Sequence, residues 1–422
     1  MEYGLIGKAL GHSYSVMIHR CFGDYDYQLY PMPEEELEKT LRERAFKGLN
    51  ITIPYKKTVL PFCDELSHAV KQVGSANTLV MRGGKLLADN TDLAGMRFML
   101  NKAGISLAGK KVIILGSGGT SLTAQAACRA ENAREILVVS RSGPVDYEKM
   151  YGLHTDADVI INATPVGMYP DTLVSPVDLS AFPCLSGVAD VIYNPARTAL
   201  TLDARERGIP CADGLWMLAA QGWHAAKLFL NREIGEERLY DAWRQVKEQC
   251  LNLVLVGMPG SGKTALGKRV AMKLNKKFVD LDQEIEKRFG PIPALFAKGG
   301  EEGFRAVEKE TVRAFGKESG LVIATGGGAV LFPENVRALR QNGVIAWVRR
   351  PVEQLSTEGR PLSTGPEALK RMEKARTPLY RACADFSVEN RSALEEGAAR
   401  LQEGFHAYFG AERPEPEHAG HP

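Results

Sequence analysis

Residues Val246–Ala271 read VKEQCLNLVLVGMPGSGKTALGKRVA, in which an apolar run is followed by GMPGSGKT and then by a helix-like segment. GMPGSGKT fits the phosphate-binding pattern G-x-x-x-x-G-K-[ST]. Its glycines let backbone N–H groups turn toward phosphate oxygens, Lys263 can reach the β and γ phosphates, and the Thr264 hydroxyl suits Mg²⁺. The stretch therefore predicts a nucleoside triphosphate site in a parallel-sheet domain. Such a loop usually follows the first strand of its domain, yet about 250 residues precede it here.

Length and composition narrow the possible classes. A chain of 422 residues exceeds the ~250 to 300 at which one core stops growing, so we expect two or three domains. A formal net charge of +2 gives no broad basic field for nucleic acid. The seven cysteines never form C-x-x-C, and no apolar run approaches the ~18 residues of a membrane span. We expect a soluble, cytoplasmic protein with small-molecule substrates and no nucleic-acid or membrane partner; an oligomer is possible.

Periodicity predicts an α/β fold with largely parallel sheets, because short apolar strands alternate with helical patterns almost throughout. The candidate strands are YGLIG, LNITI, NTLVM, KVIIL, EILVV, DVIIN, GVADVIY, KKFVDLD, LVIATG and GVIAWV. An amphipathic segment, EERLYDAWRQVKEQC, runs almost directly into LNLVLV, which places a domain boundary near Cys250. We expect domains at 1–250 and 251–411, with the Pro-rich residues 412–422 disordered.

Polar motifs follow the phosphate loop. FVDLD carries Asp280 and Asp282 at i and i+2, which a strand would place on one face at its C-terminal end. Taken alone, such aspartates are equally often turn or cap residues. Further motifs are GGEEGFRAVE with Arg305, ATGGGAV with Gly326, Gly327 and Gly328, EGRPLS with Arg360, and EKARTPLYR with Arg376.

These motifs, in this order, resemble shikimate kinase from about Asn252 to Phe409. The resemblance implies a P-loop kinase with a parallel sheet that uses ATP and Mg²⁺ to phosphorylate the 3-hydroxyl of shikimate. Arg305 and Arg376 would clamp the ring carboxylate, and Asp282 would accept from ring hydroxyls. Backbone at Gly326, Gly327 and Gly328 would approach the ring closely.

The resemblance also implies the ATP site. Asp280 would help to hold Mg²⁺ with Thr264 or take the hydroxyl proton, and Arg360 would neutralise charge on the transferred phosphoryl group. Ser356 stands about where many relatives carry an arginine against adenine. The ATP-binding residues would be Gly257, Met258, Pro259, Gly260, Ser261, Gly262, Lys263, Thr264, Ala265 and Arg360.

A weaker nucleotide motif lies in the first half. KKVIILGSGGTSLTAQAA reads as a strand, three glycines and a helix, with Ser121 at the third glycine position of G-x-G-x-x-G. An ordinary strand-helix turn is the alternative. The next strand, EILVVSRS, ends with Arg141 where an NAD-preferring site offers a carboxylate. A cation there favours the 2′-phosphate of NADP, unless Arg141 is only a solvated loop residue.

Polar residues cluster in four short stretches upstream. They are GHSYS with Ser13 and Ser15, LNITIPYKK with Asn50, Thr52 and Lys56, GSANT with Asn77, and ADNTD with Asp92. A lone lysine is usually solvated, and Asp92 alone would pass for a helix N-cap.

Together with INATPVGM, DVIYNPARTAL and GLWMLAAQ, these stretches resemble shikimate dehydrogenase over about Met1 to Lys247. The resemblance implies a two-lobed dehydrogenase that reduces 3-dehydroshikimate to shikimate with NADPH. Its substrate lobe would be 1–95 plus 215–249, and its Rossmann-like NADP lobe would be 96–214.

Residue roles follow from the same resemblance. Lys56 and Asp92 form the acid-base pair, in which the ammonium polarises the carbonyl oxygen and supplies its proton. Substrate would contact Ser13, Ser15, Asn50, Thr52, Lys56, Asn77, Asp92, Tyr193 and Gln221. NADP would contact Gly116, Ser117, Gly118, Gly119, Thr120, Ser140, Arg141, Ser142, Asn162 and Gly214. SRS replaces the usual NRT and no second arginine follows closely, which weakens the case for tight NADP discrimination.

Two alternatives remain at this point. In the first, the N-terminal half is a degenerate dehydrogenase that senses shikimate or nucleotide. In the second, the N-terminal half is an active dehydrogenase whose main oxidised substrate is quinate. The sequence, with Lys56, Asp92 and the glycine turn intact, favours a two-enzyme chain for consecutive steps toward chorismate and the aromatic amino acids.

Overall fold

The structure, a computed structural model, describes residues 1–11, 13–355, 366–391 and 393–410. The chain divides into two compact units, Met1–Val246 and Lys247–Pro422. The α/β prediction is confirmed, because parallel pairs dominate the sheets of both units. Among the described residues, no helix combines the length and the apolar content that a membrane span requires.

The first sheet is mixed, with strand order β2-β1-β3-β5-β6-β4. Its strands are Tyr3–Gly7 (β1), Tyr27–Pro31 (β2), Gly48–Ile51 (β3), Glu65–Leu66 (β4), Thr78–Arg82 (β5) and Lys85–Asp89 (β6). Only the pairs β3–β5 and β5–β6 are antiparallel. The helices in this part are Ser15–Arg20 (α1), Glu34–Glu43 (α2), His68–Val73 (α3) and Thr91–Lys102 (α4). Fully buried Leu37, Leu49 and Leu79 belong to the core of this sheet.

The second sheet is parallel throughout, with order β11-β10-β9-β7-β8. Its strands are Lys111–Leu115 (β7), Glu135–Val139 (β8), Val159–Asn162 (β9), Gly187–Asp190 (β10) and Cys211–Ala212 (β11). Its helices are Gly119–Ala130 (α5), Tyr147–Leu153 (α6) and Ala199–Glu206 (α7). Every residue of β7 is buried, as expected for a central parallel strand that is covered on both faces.

Helix Gly214–Leu230 (α8) belongs to the first unit, and helix Glu236–Cys250 (α9) begins in that unit and ends four residues after its last residue, Val246. Helix α8 packs closely along α4 at Gly95, where an added Cβ would lie 2.6 Å from the carbonyl oxygen of Met217. Only glycine permits this approach. It brings Asp92 on α4 and Gln221 on α8 to the same cavity.

The second unit contains a parallel sheet of order β13-β14-β12-β15-β16. Its strands are Asn252–Val256 (β12), Lys277–Asp280 (β13), Leu321–Ala324 (β14), Gly343–Arg349 (β15) and Phe386–Glu389 (β16). Its helices are Lys263–Leu274 (α10), Leu281–Phe289 (α11), Ile292–Gly316 (α12), Pro333–Arg340 (α13), Pro366–Cys383 (α14) and Leu394–Gly410 (α15). Helix α12 is kinked at Gly300, which has φ 63° and ψ −162°. Short 3₁₀ turns lie at Leu60–Phe62, Leu179–Ala181, Ala329–Leu331 and Val352–Gln354.

Four predicted strands, LNITI, KKFVDLD, LVIATG and GVADVIY, extend past the C-terminal ends that the structure shows. The prediction that Asp280 and Asp282 share a strand face is wrong, because β13 ends at Asp280. The Asp280 carboxylate accepts from the backbone N–H of Asp282 and of Gln283, so it caps α11 and places Asp282 in the first helical turn. GVADVIY likewise ends as a strand at Asp190, and the following residues form a loop.

Candidate active sites

A cavity of about 220 Å³ lies in the first unit. Its polar lining contains all nine predicted substrate residues, Ser13, Ser15, Asn50, Thr52, Lys56, Asn77, Asp92, Tyr193 and Gln221. Apolar side chains that the sequence reasoning did not single out also line it, namely Leu5, Ile51, Val191, Met217 and Leu218. Their pattern could not be told from that of core residues on strands and helices.

The charged centre of this cavity is the ion pair of Lys56 and Asp92. The Lys56 Nζ lies 2.5 Å from Asp92 Oδ2, and the two side chains are 25% and 15% exposed. The other carboxylate oxygen accepts from Asn77 Nδ2 at 2.9 Å. Asp92 thus holds the Lys56 ammonium, and Asn77 holds the Asp92 carboxylate. The ammonium and the carboxylate both face the cavity. This arrangement suits proton transfer to a bound carbonyl oxygen.

Two hydroxyls lie together near the start of α1. Ser13 Oγ donates to Ser15 Oγ at 3.1 Å and accepts from the Ser15 backbone N–H at 3.2 Å. Tyr193 lies in the loop after β10, and its ring contacts that of Tyr14 edge-on at 5.7 Å between centroids. These hydroxyls are suitable donors to a carboxylate in the cavity.

The turn after β7 fits the pyrophosphate of a dinucleotide. Gly116 has φ +101°, and an added Cβ would lie 3.0 Å from the carbonyl oxygen of Ala163, so the turn requires glycine there. At Gly118 and Gly119, by contrast, an added Cβ would meet no heavy atom within 4 Å. This open space lies at the N-terminus of α5, where backbone N–H groups favour anions. Thr120 and Gly214 line the substrate cavity as well.

The other predicted cofactor residues differ in their surroundings. Arg141 is exposed just after β8, and none of the described residues forms an ion pair with it, so its guanidinium is open to a phosphate. Ser117, Ser140 and Ser142 lie in the turns after β7 and β8, outside the substrate cavity. Asn162 is fully buried at the end of β9, where its Nδ2 donates to Asp190 Oδ1 at 3.0 Å.

The buried carboxylate of Asp190 holds the loop after β10 through hydrogen bonds. Besides Asn162, its carboxylate accepts from the backbone N–H of Ile192 at 3.1 Å and from Thr198 Oγ1 at 2.7 Å. Burial raises the pKa of Asp190 to about 6. The loop that it holds carries Val191 and Tyr193 to the substrate cavity.

A larger cavity, of about 520 Å³, lies in the second unit at the phosphate loop. Predicted residues in its lining are Pro259, Gly260, Gly262, Lys263, Thr264, Ala265, Asp280, Asp282, Arg305, Gly326, Gly327, Gly328 and Arg376. Gly257, Met258 and Ser261 lie outside it, and the side chains of the last two are buried. Arg360 and Ser356 lie outside the described residues, as do residues 412–422.

Contacts within the phosphate loop suit a bound triphosphate with Mg²⁺. Lys263 Nζ donates to the carbonyl oxygens of Gly257 and Met258 at 2.9 and 3.0 Å. Thr264 Oγ1 donates to Asp280 Oδ2 at 2.7 Å, which pairs a hydroxyl and a carboxylate of the kind Mg²⁺ prefers. Among the described residues, no group of three His, Cys, Asp or Glu side chains would hold a metal.

Arg305 and Arg376 are anchored by different partners. Arg305 donates to Glu308 Oε2 at 2.8 Å and to Glu301 Oε1 at 3.0 Å. Arg376 donates to the carbonyl oxygen of Gly327 at 2.9 Å. Two guanidinium groups thus face one cavity, which suits a carboxylate ligand.

Glu308 is a residue of this cavity that the sequence reasoning missed. Its side chain is 2% exposed, and Oε1 has no hydrogen-bond partner among the described residues. Burial raises the pKa of Glu308, although Arg305 acts in the opposite direction. The signal in the sequence was its spacing of three from Arg305 on one helix, which places the two side chains on the same face.

Comparison with known proteins gives two family matches. The shikimate dehydrogenase substrate binding domain matches residues 5–79, and the shikimate kinase family matches residues 259–404. The shikimate dehydrogenase (NADP(+)) of Caldicellulosiruptor bescii is 34% identical over 258 residues, which are 54% of this chain and 88% of that protein.

Solved structures resemble the same half of the chain. A chorismate mutase/shikimate 5-dehydrogenase fusion protein from Clostridium acetobutylicum is 32% identical with a TM-score of 0.55, covering 58% of this chain and 97% of that one. Shikimate 5-dehydrogenase from Thermus thermophilus, in complex with NADP(H) and shikimate, is 28% identical with a TM-score of 0.52. That match covers 58% of this chain and 99% of the other.

Proposed function

The chain belongs to the shikimate dehydrogenase family and carries a shikimate kinase domain after its dehydrogenase half, and we propose that it catalyses two consecutive reactions. The first is the NADPH-dependent reduction of 3-dehydroshikimate to shikimate. The second is the MgATP-dependent phosphorylation of shikimate to shikimate 3-phosphate. The protein is thus a bifunctional enzyme of the shikimate pathway, toward chorismate and the aromatic amino acids.

The observation that carries the first reaction is the ion pair of Lys56 and Asp92 at 2.5 Å beside the cavity. The Lys56 ammonium polarises the substrate carbonyl oxygen and gives it a proton, while Asp92 keeps the ammonium in place. NADPH, when bound, supplies the hydride. Ser13 and Ser15 hold the substrate carboxylate, and Asn77 holds a ring hydroxyl. The open turn at Gly118 and Gly119 supports the pyrophosphate site.

The second reaction is supported by two arginines that share a cavity with the phosphate loop. Arg305 and Arg376 bind the shikimate carboxylate, which fixes the ring relative to the triphosphate. Asp282 accepts from ring hydroxyls. Lys263 neutralises phosphate charge, and Thr264 with Asp280 holds Mg²⁺, which offsets the charge of the phosphate oxygens when bound. The chain's contribution is mostly positioning and electrostatic stabilisation.

We also propose a cytoplasmic location with small molecules as the partners. The net charge of +2 gives no field for nucleic acid or for an anionic membrane surface. All seven cysteines are free thiols, which agrees with a reducing compartment.

The experiment that tests the function uses the purified full-length chain. NADP⁺ reduction is measured with shikimate and with quinate, and ADP release is then measured with shikimate. We expect NADPH formation with shikimate and ADP release that depends on shikimate and Mg²⁺.

Each of the other possible results would support a different function. Kinase activity without any NADP⁺ reduction would leave the first half as a sensor or binding domain. A higher kcat/KM for quinate than for shikimate would make quinate the oxidised substrate. Shikimate oxidation without ADP release would refute the kinase half.

A further inference from the structure

A row of buried polar side chains includes two residues of the dehydrogenase cavity, Asn50 and Asn77, and two that lie outside its lining, Tyr27 and Thr78. Tyr27 on β2, Asn50 on β3 and Thr78 on β5 are 4%, 4% and 0% exposed, and Asn77 is 3% exposed. Buried polar groups destabilise a fold unless they are hydrogen-bonded, so a connected row of them points to a purpose beyond packing. The row ends at Asp92, the carboxylate partner of Lys56.

The side chains form one continuous series of hydrogen bonds. The Tyr27 hydroxyl donates to Asn50 Oδ1 at 2.8 Å, and Asn50 Nδ2 donates to Thr78 Oγ1 at 3.0 Å. Thr78 Oγ1 donates to Asn77 Oδ1 at 3.1 Å, and Asn77 Nδ2 donates to Asp92 Oδ1 at 2.9 Å. Four hydrogen bonds thus connect Tyr27 to the carboxylate.

Every donor in the series points toward Asp92. The Tyr27 hydroxyl keeps its proton, because burial raises its pKa well above the usual value, and it donates that proton to Asn50 Oδ1. At the other end, the backbone N–H of Thr91 donates to Asn77 Oδ1 at 2.7 Å, which turns the amide Nδ2 toward Asp92. Asn50 is held in one orientation because its Nδ2 also donates to the backbone carbonyl oxygen of Asn77 at 3.3 Å, where a flipped amide would place two acceptors face to face. A flipped Asn77 amide would place its Nδ2 against the Thr91 N–H, so that two donors would face each other.

The Tyr27 ring is itself fixed by a neighbour. The His19 ring stacks on it at 3.8 Å between centroids and 7° between planes. His19 is fully buried, and burial lowers its pKa to about 3, so a neutral ring lies against Tyr27 near pH 7. Tyr25 bonds to His19 Nδ1 at 2.6 Å but takes no part in the series.

We propose that Tyr27 and Thr78 are positioning residues for hydride and proton transfer, acting through Asn50 and Asn77 to hold the Asp92 carboxylate where it orients the Lys56 ammonium. This inference rests on the proposed dehydrogenase function and adds residues that do not touch substrate. Hydrogen bonds in a buried series polarise and rigidify one another, so the loss of the remote donor is felt at the carboxylate. A misplaced ammonium slows the chemical step more than it affects cofactor binding.

The kinetic test compares Tyr27→Phe with the unaltered full-length chain in shikimate oxidation. We expect kcat to fall about 3- to 10-fold, the range that one net hydrogen bond supplies, with an unchanged KM for NADP⁺. The kinase kcat in the same preparation should stay the same and serves as the check on folding. Tyr25→Phe removes a neighbouring hydroxyl outside the series and should leave the dehydrogenase kcat within about twofold of the unaltered value.

A second pair tests the middle of the series. Thr78→Val removes the hydroxyl with little change in shape and should lower kcat as Tyr27→Phe does. Thr78→Ser keeps the hydroxyl, so it should retain most of the unaltered dehydrogenase kcat. Equal losses for Val and Ser, or for Tyr27→Phe and Tyr25→Phe, would show that only packing matters and would overturn the inference.

A third measurement does not need turnover. An ammonium held by a carboxylate reacts slowly with acetic anhydride, so Tyr27→Phe should raise the rate of Lys56 acetylation at least twofold, as read by mass spectrometry, and Tyr25→Phe should not. An unchanged acetylation rate would overturn the inference. An unaltered chain without dehydrogenase activity would instead refute the proposed function, and the acetylation test would still apply.

Discussion

The Nζ of Lys56 lies 2.5 Å from Oδ2 of Asp92, and both groups line the cavity of the first unit. Lys263 lines the cavity of the second unit, next to the phosphate-binding turn. We therefore predict that the two activities can be removed separately. Lys56→Met should lower shikimate oxidation by about 10²- to 10⁴-fold, the usual contribution of a general acid, and leave ADP release unchanged.

The reciprocal variant is Lys263→Met. It removes the cation that neutralises phosphate charge, so ADP release should fall by orders of magnitude while NADP⁺ reduction stays the same. Steady-state assays of both reactions on both variants provide the comparison. Intact hydride transfer in Lys56→Met would mean that another group supplies the proton.

Arg141 concerns the choice of cofactor. It is exposed at the end of β8, and no described residue forms an ion pair with it. Arg141→Ala should raise the KM for NADPH about tenfold or more and leave that for NADH nearly unchanged, because only NADPH carries the 2′-phosphate. KM values for both cofactors test this. Equal losses for the two would show that Arg141 only supports its loop.

Glu308 is predicted to position Arg305 in the kinase cavity. Its carboxylate accepts from Arg305 at 2.8 Å and is almost fully buried. Glu308→Gln should raise the KM for shikimate about tenfold or more, since it removes a charge-assisted contact, and should leave the KM for ATP unchanged.

Glu301 supplies the matched control for Glu308. It contacts the same guanidinium at 3.0 Å, yet its side chain is 56% exposed. Exposed ion pairs contribute little, so Glu301→Gln should change the KM for shikimate by less than about threefold. Similar effects of the two variants would contradict a special role for the buried carboxylate.

The sequence predicted those features that have a local chemical reason. The glycine turn at Gly116, the phosphate loop before α10 and the fully buried strands β7 and β12 each depend on short-range rules of backbone freedom or apolar pattern. The nine polar residues of the first cavity were named through a family resemblance, and the structure brings their side chains together.

Features that depend on tertiary contacts could not be predicted from local sequence rules. Asp282 was expected on a strand, yet the cap formed by Asp280 starts α11 one residue earlier than Asp282. Asn162 at the cofactor stays a prediction, and the bond that its amide donates to Asp190, 28 residues away in the chain, is visible only in the folded protein. Tyr27 lies 23 residues from Asn50 in the chain, so only the folded sheet shows that they touch.

Asp190 leads to a prediction about stability and pH. Burial raises its pKa to about 6 from an ordinary value of 3.8, so the folded chain binds this proton more tightly than the unfolded chain does. The resulting stabilisation is complete below pH 3.8 and is lost as the pH rises through 6. Its size is about 3 kcal/mol, since one pKa unit corresponds to about 1.4 kcal/mol.

Asp190→Asn removes this titration. The asparagine amide has one acceptor oxygen where the carboxylate has two, and this loss is the same at every pH. The unfolding free energy of the unaltered chain, relative to the variant, should therefore rise as the pH falls from about 7 to about 4. The measurement is thermal unfolding at several pH values, followed in the transition that NADP⁺ shifts upward, because that ligand marks the dehydrogenase unit. His19, whose buried ring has a pKa of about 3, opposes this trend in both proteins and cancels in the difference. A constant difference across this pH range would contradict the raised pKa of Asp190.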